Sequence, residues 1–397
     1  MVLAGPRTQL PKEPIRIPTP DDSTKAFQQF VEDWKAGKAP PGADIKIEGG
    51  RVQVSGVQAV MAINGILAKW IFDWNKEKHA FYVEESYVIQ WMYPYLLPAG
   101  VIMKIDKEPL PSPQQDRARW DEIVAKDKAY WDTLTRDFTN REEFVRNKDA
   151  QKSFSKMRSA IAGLYLWRGM LPEAEYAFRQ SLQLCPDSPE GCFRLADLLM
   201  NQHRYDDART LMQNYLKVDE YNGNVKGFLN QIDALSKCDQ RRVELQKKLV
   251  NGADINDVME LISIFSRMNM PTEMASLSMN MLNNSNIPPQ YLLQLAQMCN
   301  ESRRVEMAQE CFRRYLARMP QDSRIWIELG WTQLMMNQPS EGLTSWRKAV
   351  EIGGEAARGI LRSDKRFLPL WQQQNLPEPF RQLIQQSRPP PGMDFGL

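Results

Sequence analysis

The sequence predicts a small α/β domain followed by an all-α array of stacked helical hairpins. Three observations lead to this fold class. Near the N-terminus, apolar and polar residues alternate over short stretches, which is the period of a half-buried strand. Beyond residue 110 the apolar residues recur three and four positions apart, which is the period of an amphipathic helix. Within that second region the same residue types return every 34 positions, which is typical of helical repeat proteins.

The first predicted elements are a helix and a β-hairpin. The apolar face of the helix carries Phe27, Phe30, Val31 and Trp34. Residues 21–23 offer N-caps for this helix, and Gly37 is placed to end it. Apolar side chains then alternate along two short arms, at Ile45, Ile47, Val52 and Val54. The pair Gly49-Gly50 lies between the arms and favours a hairpin turn over a phosphate-binding loop, because no glycine-rich phosphate motif surrounds it.

The rest of the α/β domain alternates helices and strands. Ser55 and Gln58 have the spacing of a capping box, which predicts a helix through Trp74. Phe81 to Val83 and Val101 to Ile105 read as strands. Between them, Tyr87 to Leu97 is predicted as a short helix that Pro98 ends.

A connecting helix is predicted after the prolines at 109, 111 and 113, which mark a domain boundary. It begins near Asp116, and its apolar face carries Trp120, Ile123, Val124, Tyr130, Trp131, Leu134 and Phe138. We expect this face to dock on the helical array. The predicted organisation is a small α/β domain over 1–110, a connecting helix over 111–150, repeats over 151–355, and a C-terminal cap and tail over 356–397.

The repeats follow a 34-residue register. Small residues recur where two helices must approach closely, at Ala162, Ala174, Ala196, Ala208, Ala296, Ala308, Gly330 and Gly342. Large side chains recur where gaps must be filled, at Tyr165, Phe178, Phe312 and Trp346. A fifth repeat, Ile255 to Pro288, keeps the register with Met274 at a small position, and a sixth near 223–254 shows only helical pattern. An apolar cap is predicted from Leu361, Phe367, Leu368, Leu370, Trp371, Phe380 and Leu383.

These residues resemble the tetratricopeptide repeat family. The resemblance implies an all-α tetratricopeptide-repeat superhelix in which the first helix of each repeat lines a concave groove that holds a peptide or a partner helix. Carried onto this sequence, the groove consists of Phe193, Arg194, Asp197, Met200, Met259, Glu260, Leu293, Gln294, Gln297, Ile327, Glu328 and Trp331. The chain departs from the chaperone-binding subtype at Ser159, Gly163 and Arg194, so a chaperone tail is not the expected partner. The alternative is that the apolar members only pack between helices.

A second resemblance covers the runs 43–72 and 81–111. They are similar to the extramembrane C-terminal portion of a bacterial family of polytopic membrane proteins related to protein O-mannosyltransferases. This resemblance implies an extracytoplasmic location and a membrane-embedded partner domain. The sugar-transfer chemistry of that family is expected in its transmembrane part, so no catalytic residue carries over.

Composition excludes several function classes. The net charge of +2 argues against a nucleic-acid partner. His79 and His203 are far apart and the cysteines form no CxxC pair, so neither a metal site nor a cofactor is predicted. No signal peptide or membrane span is expected from this chain. The long uncharged stretches at 52–68 and 86–103 are interrupted by polar residues or by proline and glycine.

The preferred hypothesis is a non-catalytic protein–protein interaction module, with no catalytic residue assigned. The alternative is a soluble enzyme or sugar-binding protein with its site in the N-terminal domain. There, His79 is a candidate base, and Trp91, Tyr93 and Tyr95 are a candidate sugar-stacking or interface patch.

Overall fold

The computed structural model describes residues 13–38, 44–48, 51–84, 89–284, 286–371 and 377–384. The predicted hairpin glycines at 49–50 and the predicted tail at 389–392 lie outside the described residues. The chain divides into two compact units, residues 1–233 and 234–397. The four-part division expected from the sequence stays a prediction.

The N-terminal part combines two helices with two small sheets. Its elements are α1 Pro20–Lys35, β1 Asp44–Glu48, β2 Arg51–Ser55, α2 Val57–Asn75, β3 Phe81–Val83, a 3₁₀ helix Gln90–Tyr95, β4 Leu96–Ala99 and β5 Ile102–Ile105. The predicted first helix, hairpin, second helix and two strands are all present. The fold class of a small α/β part followed by helical repeats is therefore confirmed.

Both sheets are antiparallel. β1 pairs with β2 so that Ile45 lies opposite Val54, as the alternating pattern predicts. The second sheet has the strand order β3-β5-β4, with Phe81 opposite Ile105 on one side of β5. Pro98 lies in β4, which is an edge strand, where the missing N–H of proline is tolerated.

Two local predictions in this region were wrong. In the described part of the helix predicted over Tyr87 to Leu97, residues 89–97, Gln90–Tyr95 forms a 3₁₀ helix and β4 begins at Leu96. The predicted capping box is replaced by an N-cap at Gly56, which has φ +94° and makes no side-chain cap hydrogen bond. Ser55 instead closes β2 and pairs with Asp44, so the chain turns into α2 through glycine.

The remainder is helical. Its elements are α3 Arg117–Thr139, α4 Glu142–Arg146, α5 Lys148–Trp167, α6 Leu171–Leu184, α7 Pro189–Asn201, α8 Tyr205–Val218, α9 Gly223–Asn251, α10 Ile255–Arg267, α11 Pro271–Leu282, α12 Pro289–Glu301, α13 Val305–Arg318, α14 Ser323–Met335, α15 Pro339–Ser363, α16 Leu368–Trp371 and α17 Glu378–Ile384. The pairs α5–α6, α7–α8, α10–α11, α12–α13 and α14–α15 are helical hairpins in the predicted 34-residue register. The degenerate fifth repeat is thus a hairpin despite Met274, which is buried.

Every one of these hairpins turns in the same way. The second residue after the first helix has a left-handed backbone, at Gly169, His203, Asn269, Arg303 and Asn337. The following amide donates back across five residues, for example from Arg204 to the Leu199 carbonyl at 2.9 Å. This is the Schellman motif, and it satisfies the carbonyls that a helix end leaves free.

The predicted sixth repeat is wrong as a two-helix unit, because residues 223–251 form the single helix α9. The equivalent turn position would be Lys237, which lies inside that helix. Residues 233–244 contain no glycine, proline or asparagine, so nothing in this stretch stops the helix. The division between the two compact units falls within α9.

Small residues set the helix separation inside the hairpins. Ala162 and Ala174 are fully buried, as are their counterparts in the second and fourth hairpins. In the last hairpin the two backbones touch, since a Cβ on Gly330 would meet the Gly342 carbonyl oxygen at 2.9 Å. The predicted role of the small positions is confirmed.

The connecting helix α3 packs on the first repeat hairpin, as predicted, through Trp120 and Trp131, both fully buried. A buried ion pair also joins them, with Arg158 Nη1 donating to Asp127 Oδ2 at 2.7 Å. The Tyr165 hydroxyl donates to the same oxygen at 2.8 Å.

Arg168, at the end of the first repeat helix, fixes the N-terminal sheet region to this hairpin. Its guanidinium donates to the carbonyls of Tyr93 and Pro94 at 3.0 and 2.7 Å. The same group lies over the Trp120 ring at 4.8 Å. These contacts join the N-terminal sheet region and the connecting helix to the first hairpin within the first compact unit.

The predicted C-terminal cap packs on the last hairpin. Trp346 is fully buried and contacts the rings of Phe367, Trp371 and Phe380 at 5.1 to 6.0 Å. These contacts bury the end of the second unit.

Candidate binding groove

The first helices of two successive hairpins, α10 and α12, enclose a depression of about 360 Å³. It is lined by Met259, Glu260 and Ser263 from α10 and by Gln294, Gln297, Met298 and Glu301 from α12. Positions three and four apart lie on one face of a helix, so each helix contributes one stripe. We call this depression the α10–α12 groove.

The groove brings together four of the residues predicted from the sequence, namely Met259, Glu260, Gln294 and Gln297. Sequence reasoning missed Ser263, Met298 and Glu301. Each of these lies within one helical turn of a predicted residue, so extending the predicted stripe by a turn finds them. Leu293 is half-buried and packs against the core of the second unit instead of lining the groove.

One carboxylate of the groove is held by an arginine. Arg241 donates from Nε and Nη2 to the two oxygens of Glu260, at 2.9 and 2.8 Å. These hydrogen bonds lower the pKa of Glu260. The arginine therefore both orients this carboxylate and neutralises its charge.

The second carboxylate is that of Glu301. It accepts a hydrogen bond from Gln297 Nε2 at 3.1 Å. Within the described ranges of the chain, no cationic side chain forms an ion pair with Glu301. Its charge is exposed at the end of the groove.

The floor of the groove is apolar. Met259 is 7% exposed and belongs to the core of the second unit. Met298 is partly exposed and packs against the same core. Flexible thioether side chains adapt to occupants of different shape.

The predicted residues of the second hairpin, on α7, lie in the first unit. Phe193 packs edge-on against Phe228 at 5.2 Å and Tyr215 at 6.3 Å, and Met200 is 8% exposed. These two side chains contribute to packing between helices, which is the alternative that the sequence left open.

Arg194 and Asp197 are the exposed members of that set. Arg194 forms an ion pair with Glu190 at 3.4 Å and also crosses to α5, where Nη1 would lie 3.1 Å from a Cβ on Gly163. Partial loss of hydration raises the pKa of Asp197. A small residue at 163 thus makes room for the arginine.

Two of the predicted residues of α14, Glu328 and Trp331, contact residues 366 and 367, which belong to the C-terminal cap. Ile327 is 1% exposed, and the Trp331 ring contacts Phe367 at 5.1 Å. Both Glu328 oxygens accept from Arg366, at 2.7 and 2.8 Å. The full twelve-residue groove stays a prediction, and the α10–α12 groove is the part in which predicted residues converge around an open space.

The candidate aromatic residues of the N-terminal part contact other aromatic rings. Trp91 and Tyr95 lie 5.4 and 5.5 Å from the Phe72 ring, and Tyr93 stacks on Trp167 at 5.3 Å. His79 is half-buried. No group of three or more potential metal ligands occurs in the described part of the chain.

The family model of the tetratricopeptide repeat matches residues 165–232. The family model thus identifies tetratricopeptide repeats within residues 165–232. The matched tetratricopeptide segment runs from the end of α5 into α9 and includes the α7–α8 hairpin. No curated protein matches the chain.

Solved structures of tetratricopeptide proteins are also similar to this chain. One is YrrB, described as a TPR protein with an unusual peptide-binding site, at 13% identity, 56% coverage of this chain, 95% of that one and a TM-score of 0.22. A second is a tetratricopeptide protein from Parabacteroides merdae, at 11% identity, 58% and 96% coverage and a TM-score of 0.23. A third is MamA from Desulfovibrio magneticus, at 14% identity, 51% and 96% coverage and a TM-score of 0.20.

The second resemblance predicts a membrane-embedded partner domain, which is not part of this sequence. Among the helices described here, none is both long enough and apolar enough to span a bilayer.

Proposed function

We propose that the protein is a protein–protein interaction module that holds a peptide segment in the α10–α12 groove. The observation that carries the proposal is the convergence of Met259, Glu260, Gln294 and Gln297 around one open depression. The groove joins an apolar floor to a polar rim, which is the composition of a recognition site for a peptide.

The packing of α10 and α12 and the hydrogen bonds of Arg241 favour binding of a peptide without rearrangement of the groove. Its walls are the first helices of two packed hairpins, whose inner faces are buried in one core with Leu261, Ile262, Leu295 and Ala296. Arg241 fixes Glu260 from the neighbouring α9. A preformed site of this kind loses little conformational entropy on binding.

The test is selection of peptides from a random phage-displayed library on the full chain, followed by affinity measurement for individual selected peptides. Gln297→Trp fills the groove from α12 without adding charge. Its matched control is Asn280→Trp, which places the same side chain at an exposed position on the second helix α11. We expect Gln297→Trp to weaken binding by about tenfold or more and the control to leave binding unchanged.

Equal affinities in the two tryptophan variants would contradict the proposal, because the selected peptides would then bind elsewhere. Circular dichroism of both variants checks that each is folded. An absence of any selected peptide would contradict it as well.

We further propose that this module is the extracytoplasmic tail of a membrane glycosyltransferase-like protein. Its support is the similarity of residues 43–72 and 81–111 to the C-terminal portion of that bacterial family. The test is the genomic sequence upstream of the codon for Met1 and in the neighbouring genes. A series of membrane-length apolar segments is expected there, and its absence would remove the basis of this part.

A further inference from the structure

We propose that the α10–α12 groove recognises a basic side chain, lysine or arginine, of the bound peptide. This inference rests on the proposed function, since it names the class of peptide that the same groove holds.

The charges of the groove point to a cation. Among the residues that the structure describes, the charged side chains lining the groove are two glutamates, with no lysine or arginine. Glu260 is neutralised by its two hydrogen bonds from Arg241. Glu301 has no such partner among the described residues, so the groove retains about one uncompensated negative charge at this position.

The Glu301 carboxylate is oriented as well as charged. Gln297, one turn earlier on α12, donates to its Oε1 at 3.1 Å. The other carboxylate oxygen accepts no hydrogen bond from the residues that the structure describes, so it can accept one from a bound group. An ammonium or guanidinium group supplies such a donor, and a charge-assisted hydrogen bond is about twice as strong as a neutral one.

The apolar floor suits the same side chain. Lysine and arginine carry three or four methylenes before the charged group, and these methylenes pack on apolar surface while the charge reaches polar groups. Met259 and Met298 supply that surface directly below the polar rim. A peptide with an acidic residue in the groove would place its carboxylate near that of Glu301, and the two negative charges would repel each other.

The polar rim can hold the peptide main chain. Gln294 and Gln297 are exposed at the rim. Each carboxamide can both donate and accept, which matches the N–H and C=O groups of a backbone. The glutamines therefore hold the peptide independently of its side chains, and Glu301 selects among peptides.

The experiment compares peptide selection on the wild-type full chain, on Glu301→Gln and on Arg267→Gln. Glu301→Gln keeps the size and the acceptor for Gln297 but removes the charge. Arg267 lies one helical turn beyond Ser263 on α10 and does not line the groove, so Arg267→Gln is the control for changing a nearby charge.

We expect lysine or arginine to be enriched at one position of the peptides selected on the wild type and on Arg267→Gln. We expect this enrichment to be lost on Glu301→Gln. Individual basic peptides should bind Glu301→Gln about three- to tenfold more weakly, with the difference shrinking at high salt.

Two results would overturn the inference, and they are distinguishable. Peptides that are lost in Gln297→Trp but show no basic enrichment, or no dependence on Glu301, leave the proposed function standing and refute the basic specificity. Peptides insensitive to Gln297→Trp refute both.

Discussion

Replacement of Gly330 by alanine should destabilise the second unit, although alanine is the better helix former. A Cβ on Gly330 would lie 2.3 Å from Cδ1 and 2.5 Å from Nε1 of Trp346. Carbon atoms in ordinary contact are about 3.5–4.0 Å apart, so the indole must move by about 1.2 Å or more. Phe367 and Phe380 surround the fully buried ring, so free space is lacking.

The magnitude follows from three contributions. Overpacking of this size costs about 1–3 kcal/mol. Displacement of the indole also weakens the hydrogen bond from Trp346 Nε1 to the Ile327 carbonyl, now 2.9 Å, at a cost of about 1 kcal/mol. The helix propensity of alanine returns about 1 kcal/mol. The expected net loss in the free energy of unfolding is about 1–3 kcal/mol.

The assay is urea denaturation followed by circular dichroism at 222 nm. With a denaturant dependence of about 2 kcal/mol per molar, the midpoint should fall by about 0.5–1.5 M. Gly359→Ala is the control, because Gly359 lies in helix α15 and, apart from its own helical turn, no atom of the described residues lies within 4 Å of its added Cβ. That variant should gain about 0.5–1 kcal/mol. If the two variants shift in the same direction, close contact at the small positions does not determine the helix separation.

Two further substitutions test other features of the fold. Asp127→Asn should cost about 3–5 kcal/mol, because it leaves the Arg158 guanidinium buried without a counter-charge. The double change Asp127→Leu with Arg158→Met should recover only part of that loss, because the Tyr165 hydroxyl loses its acceptor and Gln180 Oε1 loses its donor. A loss under about 0.5 kcal/mol in the single variant would contradict a structural ion pair. Arg303→Gly should raise the free energy of unfolding by about 0.5–1 kcal/mol, since the left-handed backbone costs an L-residue about 1–2 kcal/mol and the freer unfolded chain returns about 0.4–1. Arg313→Gly, within helix α13, is its control and should lose about 1 kcal/mol, so a shared loss would refute the turn argument.

The hairpins could be predicted because their determinants recur at fixed positions. Ala296 and Ala308 are small, buried and one repeat apart from Gly330 and Gly342, so the sequence alone reveals the register. The conformation of the turn between the two helices is harder to predict from the sequence. Its left-handed position is glycine only at Gly169, and in the other hairpins histidine, asparagine or arginine adopts the same conformation. The packed hairpin imposes that backbone, so residue type is a weak signal.

Two features escaped prediction for different reasons. Asp127 lies on the apolar face of α3, between the buried Val124 and Trp131, and a charged residue on such a face indicates a buried partner. That signal was available, but the identity of the partner, Arg158, depends on packing between separate helices. The segment that contains the single helix α9 is only two residues shorter than one repeat, so its length alone predicts a hairpin. Only the absence of a helix-stop signal near Lys237 distinguishes the single helix from a hairpin.

The candidate groove could be predicted in part for a related reason. Within α12, Leu292, Leu295, Ala296 and Cys299 are fully buried, and these positions must satisfy the packing of the hairpin. Gln294, Gln297 and Glu301 occupy the opposite stripe of the same helix and carry no packing constraint. The buried stripe therefore reveals the fold. The open stripe is free to vary with the partner, and so its charge and hydrogen-bonding groups are where the specificity of this protein should be sought.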